Sequence, residues 1–264
     1  MVWRAGLAIR WGMRAIVRRP SEALSRCALT FLDRQPIDFD RALEQHRAYV
    51  AALEAAGVEV TIMPAEPDLP DAVFVEDAAL ILDECAVIMR PGIESRRPEP
   101  ASIATALREL RPLVTISAPG TAEGGDILRI GRTIFAGRTP RTNDDGIRQL
   151  AEAVAPHGYD VVPVTPHGCL HLKSAVTYAG LETVVVNPDW IDVDLFGRWQ
   201  CIPVAPGEPS AANVLVIGSV VHTAVSAPLT RRKLDALGFE TRALDTSEFE
   251  KAEAALTCLS LLVD

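Results

Sequence analysis

The sequence predicts an α/β protein built from a repeated strand–strand–helix–strand unit, and three observations predict it. Short apolar runs of strand length alternate with amphipathic stretches of helical period. One local shape recurs: in 125–135 and in 212–221 two apolar runs flank a tight Gly turn, and a loop, a helix and a further strand follow each. Polar residues also open five apolar runs, near 77, 126, 171, 213 and 258. These openings lie about 42 to 49 residues apart, a period expected of repeat architectures.

Taken in chain order, residues 1–12 are basic and partly apolar, but Arg4 and Arg10, then Arg14 and Arg18, interrupt every apolar run, so no secretory h-region forms. They are expected to be an extension, with Met13 opening a single α/β domain over 13–264. A helix is predicted over 40–56 (DRALEQHRAYVAALEAA). Glu76-Asp77 opens the strand AALIL; the 125–135 pair leads into a helix at 142–156 and a strand at 159–164. His171-Leu172-Lys173 opens SAVTYA; the 212–221 pair leads into a helix at 230–237 and a strand at 239–244. Thr257-Cys258 opens LSLLV, and no helix follows it. That last unit must be completed by the N-terminal strand and the helix at 40–56, which closes a ring and removes sheet edges. An open α/β sheet, whose strands also end in polar residues, is the alternative that spacing leaves standing.

Composition narrows the function classes. With 48% apolar and 23% charged residues over 264 positions, the chain is an ordinary packed globular protein. A formal net charge of -9 argues against nucleic acid as a partner. No stretch approaches the roughly 18 uncharged apolar residues of a membrane span. Five cysteines with no CxxC suggest free thiols and a reducing compartment, hence the cytoplasm. No G-x-G-x-x-G follows a strand and no Walker-type loop occurs, so a nucleotide cradle is missing.

The strand openings carry Glu76, Asp77, Glu123, Asp126, His171, Lys173, Asn213 and Cys258. A cysteine nucleophile needs a neighbouring acid/base, itself oriented by a third group. Cys258, His171 and Glu123 supply this set, each from a different repeat. A lone cysteine is ordinarily a small buried hydrophobe, and a lone His a satisfied structural residue; recurrence at the openings is what raises these above that. Zinc is the competing use. Cys169 and His171 are two apart, but as residues of a strand they would face opposite ways, and no second close ligand pair exists. No metal is expected.

The stretches LPDAVFVEDAAL (69–80), VIMRPGIESRR (87–97), APGTAEGGDILRIG (118–131), PRTNDDGIRQL (140–150), LHLKSAVT (170–177), AANVL (211–215) and DTSEFEKAEAALTCLSLL (245–262) appear in one order along nearly the whole chain. In these the sequence resembles the dimethylarginine dimethylaminohydrolases of the guanidine-modifying superfamily. The resemblance implies a five-bladed α/β propeller with pseudo-fivefold ββαβ repeats, and hydrolysis of Nω-methylated arginine to citrulline and an amine without cofactor or metal. It implies Cys258 as nucleophile, His171 as general acid/base and Glu123 as its carboxylate partner. Substrate contacts are implied for Leu29 in a lid, for Asp71, Glu76 and Asp77, for Arg96 and Arg141, and for the carbonyl of Ala252. A homodimer is left open.

The implied roles suit the residue types. A methylated guanidinium calls for buried carboxylates, here Glu76 and Asp77. Its α-carboxylate calls for planar donors, here Arg96 and Arg141, and Asp71 would meet the α-amino group. One departure stands out: Glu253-Ala254-Ala255 precedes the nucleophile where the family usually has glycine, so a glycine-dependent backbone there is expected to change shape. The competing functions are an arginine deiminase or a hydrolase of another substituted guanidine, and, in a different class, a non-catalytic propeller scaffold.

Overall fold

The computed structural model describes residues 12–263; the expected N-terminal extension, all but its last residue, lies outside them. In chain order, β1 (Arg14–Arg18) leads through helix α1 (Phe39–Ala55) to β2 (Glu59–Met63). Then β3 (Ala79–Ile81), β4 (Ala86–Ile88), α2 (Pro100–Leu107) and β5 (Leu113–Thr115) make one unit. The next contains β6 (Ile127–Ile130), β7 (Thr133–Gly137), α3 (Asp144–Val154) and β8 (Asp160–Val164). After a one-turn helix, α4 (Leu172–Ala175), come β9 (Val176–Gly180), β10 (Thr183–Val186) and β11 (Gln200–Pro203). The chain continues with β12 (Leu215–Ile217), β13 (Val220–Ala224), α5 (Pro228–Ala236), β14 (Glu240–Leu244), the short α6 (Ser247–Glu250) and β15 (Leu261–Val263).

These strands form five three-stranded sheets, β3-β4-β5, β6-β7-β8, β9-β10-β11, β12-β13-β14 and β15-β1-β2. In each, the first two strands pair antiparallel and the third joins parallel across a connection, which requires a crossover. The last sheet is completed from the far end of the chain, with Ile16 opposite Leu261 and Arg14 opposite Val263. The ring is therefore closed, and the open-sheet alternative is ruled out. Residues from the inner strands of all five blades, Leu80, Leu128, Tyr178, Leu215 and Leu262 among them, line one cavity along the axis.

The helices begin where capping chemistry allows. Asp38 caps α1 by accepting from the backbone N–H of Arg41, and Asn143 caps α3 by accepting from that of Gly146. Pro100 and Pro228 stand in the first turns of α2 and α5, where a missing N–H costs nothing. Tyr49 and Leu53 of α1 are buried against the first blade with Phe249 and Leu256. One blade departs from the repeat. Between β10 and β11 the sequence NPDWIDVDLFGRW makes only a 3₁₀ turn, Val193–Phe196, and packs Phe196 and Trp199 against Phe135 instead of a helix.

Each blade's inner strand is preceded by a single helical turn: Val75–Ala78, Gly124–Asp126, Leu172–Ala175, Pro209–Ala212 and Leu256–Leu259. These turns are the five polar openings of the sequence, and they gather at one end of the axis.

Candidate active site

The turns bring chemistry-bearing residues from distant parts of the chain together. A narrow cavity is lined by Asp71, Asp77, Arg96, Arg141, His171, Ala252 and Cys258, and by Ala28, Phe74, Leu170, Glu253 and Ala254. Seven of the ten sequence-implied residues are thus on its wall. Glu123 lies behind His171, fully buried. Glu76 faces the axial cavity instead, with Lys173 and Thr257. Leu29 is packed against the apolar cluster beneath α1, and its neighbour Ala28 takes the place on the wall.

The close approach of the turns depends on glycine. A Cβ on Gly124 would stand 1.9 Å from the carbonyl oxygen of Glu76, so the EGGD and VED turns touch backbone to backbone. A Cβ on Gly125 would stand 2.6 Å from His171 Nδ1, so the imidazole packs close against that residue only because it is glycine. The N–H of Gly125 also donates to Asp77 Oδ1 at 2.9 Å.

His171 Nε2 and Glu123 Oε2 are 2.9 Å apart, and Nδ1 makes no hydrogen bond among the described residues. Glu123 accepts in addition from the N–H of Gly92 and from Arg141 Nη1, at 3.1 Å each. Arg96 donates to Asp77 at 2.8 Å and to Glu99 through both Nε and Nη2. It is buried, which excludes the solvated surface pair that arginine would ordinarily form. Lys173 Nζ donates to Glu76 Oε1 at 2.6 Å, and Thr257 Oγ1 donates to Glu76 Oε2 at 2.8 Å. Asp71 accepts from the N–H of Ala28 at 3.2 Å.

Resident cations therefore sit on the carboxylates expected to grip a guanidinium, and the arginines expected to hold a carboxylate point inward at Asp77 and Glu123. Sequence spacing could not show this, because the pairs join residues 19 and 18 apart across separate loops. Asp77, Glu123 and His171 present ligand atoms within 4.8 Å of one another, a set able to hold a metal ion. Arg96, Arg141 and His171 already engage those oxygens by hydrogen bonds within the protein.

The electrostatics assign protonation states. Burial disfavours the His171 cation, yet Asp77, Asp126 and Glu123 together raise its pKa to about 9. Burial likewise opposes ionisation of Asp77 and Glu123, but His171 and Arg96 hold both below the usual carboxylate range. Burial, then the fields of Glu76 and Asp77, push the Cys258 thiol well up. At neutral pH the site holds an imidazolium, ionised Asp77 and Glu123, and a neutral thiol.

Two readings change. Cys169 and His171 lie in an irregular loop, not in a strand, and Cys169 Sγ donates to the His171 carbonyl at 3.4 Å. Before the nucleophile, Ala255 is ordinarily extended and the left-handed position falls on Glu253, at φ 58°. Among the wall residues that sequence reasoning did not select, Phe74 and Leu170 stand inside the PDAVFVED and LHLK motifs, within three residues of chosen ones. None of the five cysteines, all of them described, forms a disulfide. Among the described residues no helix is long and apolar enough to cross a membrane.

A closed five-bladed α/β propeller with cysteine, histidine and carboxylates gathered at one end of its axis defines the guanidine-modifying class. A family described as N,N dimethylarginine dimethylhydrolase, eukaryotic, matches residues 32–195. The N(G),N(G)-dimethylarginine dimethylaminohydrolase of Streptomyces coelicolor is 45% identical over 94% of this chain and 96% of its own. A solved structure of the Pseudomonas aeruginosa enzyme, a cysteine-to-serine variant complexed with citrulline, is 34% identical with a TM-score of 0.91, covering 94% of this chain and 98% of that one. The N-terminal domain of a cyanobacterial arginine dihydrolase, 21% identical with a TM-score of 0.87 over 96% of this chain and 98% of that one, shares the fold. The chain belongs to the dimethylarginine dimethylaminohydrolase family.

Proposed function

We propose that this chain hydrolyses Nω-methylated arginine to citrulline and dimethylamine or methylamine. The observation that carries the proposal is that Cys258, His171 and Asp77 line one cavity in which the imidazole and the thiol each hold a proton. Such a site is inert until a cation enters. A guanidinium entering beside Cys258 offsets the burial and the fields of Glu76 and Asp77 that keep the thiol neutral, so the Cys258 proton leaves to water as substrate binds. The thiolate sulfur then bonds to the guanidinium carbon. The bond from that carbon to the methylated nitrogen breaks as His171 gives its proton to the departing amine, leaving a thiouronium on sulfur. Neutral His171 next takes a proton from water; the hydroxide attacks the same carbon, the carbon–sulfur bond breaks, and citrulline and Cys258 are released. Glu123 holds the ring by Nε2 and stabilises its charged form, leaving Nδ1 for proton traffic.

At the amino-acid end, Asp71 meets the α-ammonium with the Ala252 carbonyl, and Arg141 and Arg96 turn from their carboxylates toward the substrate's. Leu29 anchors the lid segment to the apolar cluster while Ala28 meets the pocket, and Glu76, anchored by Lys173, supports the turn that carries Asp77 from the axial side. The unpaired thiols fit a cytoplasmic enzyme.

The test is a substrate panel of asymmetric dimethylarginine, monomethylarginine, arginine and agmatine, scored for ureido product and released amine. Turnover of both methylarginines above arginine is expected. Arginine converted to citrulline and ammonia with the methylarginines untouched overturns the reading in favour of a deiminase.

A further inference from the structure

Glu253 is built unlike its surroundings. It follows α6 at the position where the chain reverses: its N–H bonds to the Glu250 carbonyl at 3.1 Å, and the N–H of Ala254 bonds back to the Phe249 carbonyl at 3.2 Å. This double bond pattern is a helix terminus whose reversing residue is left-handed and is usually glycine. Here it is a glutamate at φ 58°, a conformation that side-chain-bearing residues rarely adopt. A strained outlier next to a site invites the question of what the side chain does there.

The side chain reaches across 221 to 223 positions of sequence to the segment over the cavity. Its carboxylate accepts from three successive backbone N–H groups: Thr30 at 2.9 Å, Leu32 at 2.6 Å, and Phe31 between them. Residues 27–38 have no helix or strand of their own to satisfy these donors. Packing of Cys27, Leu29 and Ile37 holds the flanks of the segment but not its tip, where Phe31 and Leu32 are 51% and 47% exposed. At the tip, Arg141 Nη2 adds a bond to Thr30 Oγ1 at 3.3 Å; the flanks are tied by Asp71 to the Ala28 N–H, by Arg34 to the carbonyls of Ser25 and Cys27, and by Lys251 to the Pro36 carbonyl. Glu253 also stands on the wall between the site cavity and a neighbouring apolar cavity that Phe31 and Leu32 line, with Leu170 and Ala254 the other shared residues.

We infer that Glu253 is a positioning residue that latches the 28–34 lid over the nucleophile, and that substrate and product exchange when this latch opens toward the neighbouring cavity. The inference rests on the 28–34 segment covering the site proposed above. One residue thus joins three parts: its backbone follows Ala252, its peptide leads to the nucleophile's turn, and its carboxylate orders the lid.

The experiment compares the wild-type chain with Glu253→Gly, Glu253→Gln and Glu250→Gln. Glycine suits the left-handed turn, so Glu253→Gly removes the carboxylate without distorting the nucleophile's loop. Amide hydrogen exchange at Thr30, Phe31 and Leu32, and alkylation of Cys258 by iodoacetamide read on its own peptide, should each rise by roughly tenfold or more. Exchange in β7 and β10 should stay unchanged. Glu253→Gln, which keeps acceptor oxygen but not charge, should fall between, and Glu250→Gln should match wild type in the lid. With methylarginine, KM should rise more than kcat falls. Unchanged lid exchange and alkylation in Glu253→Gly overturn the latch, as does a rise spread evenly over all blades, which marks a merely structural residue. The exchange and alkylation readouts need no turnover, so failure of the methylarginine panel leaves the latch standing and condemns only the substrate reading.

Discussion

Cys258 carries a proton it must lose and His171 one it must give, and both follow from charges within the cavity. Replacing Cys258 by Ser should abolish turnover while methylarginine still binds, as calorimetry would show; retained turnover would contradict its role as nucleophile. Because kcat/KM reports the free enzyme, it should fall as pH rises through about 9, where His171 loses its proton. Stability should follow the same group. The folded pKa is raised from 6.5, so the stabilisation is complete below about 6.5 and disappears as pH rises through about 9. Urea titrations across that window should show a loss that His171→Asn abolishes. Arg141→Ala should raise the KM for methylarginine by roughly tenfold or more, since a charge-assisted bond is worth about 1.5–3 kcal/mol; an unchanged KM removes its role at the amino-acid end. The identities at this scale were legible because motifs such as EGGD and LHLK mark them. Their partners were not. Nothing in residue order says that Arg96 turns to Asp77 and Glu99, or that Lys173 turns to Glu76, because such pairing is decided by side-chain reach across separate turns.

The single helical turn ahead of each inner strand is the element that makes the site. It was visible in sequence as a polar pair before an apolar run, although the period fixed only its recurrence, not its shape. The helices at 40–56, 142–156 and 230–237 were legible from apolar period and from the repeat, and the structure places them at Phe39–Ala55, Asp144–Val154 and Pro228–Ala236. The blade from Val176 to Pro203 was less so, since aromatic packing around Phe196 replaces its helix and leaves no period to read. Turn-to-turn contact at Gly124 gives the sharpest test at this scale. A methyl group 1.9 Å from the Glu76 carbonyl must push the VED turn away. Gly124→Ala should cost about 1–3 kcal/mol and lower kcat, as chemical denaturation and steady-state rates together would show. Full activity with unchanged stability would mean that the turns do not meet there.

The sheet of the closing blade is joined by a three-residue pairing between β1 and β15, with Tyr49 of α1 bonded to Leu256 and Ser260 beside it. Leu261 is buried in the cluster that joins this blade to its neighbour, with Ile16, Val75 and Ile88. Leu261→Ala should therefore cost about 2–5 kcal/mol. Loss of far-UV circular dichroism and loss of activity in urea should coincide in that variant, because the blade that closes the ring also carries the nucleophile. Separate transitions would show that the blades melt independently. Closure was the one feature of architecture that the sequence left between two answers, since unpaired outer strands and a shared first blade produce the same periodicity along the chain.

That pairing has a bearing on how the enzyme comes into being. Ile16 and Leu261 are among the most distant partners in the chain, and loop closure makes such contacts late ones during folding. The surroundings that set the chemistry of Cys258 exist only after this meeting. A nascent or half-folded polypeptide thus carries an ordinary thiol, and reactivity toward guanidines begins when the ring is complete.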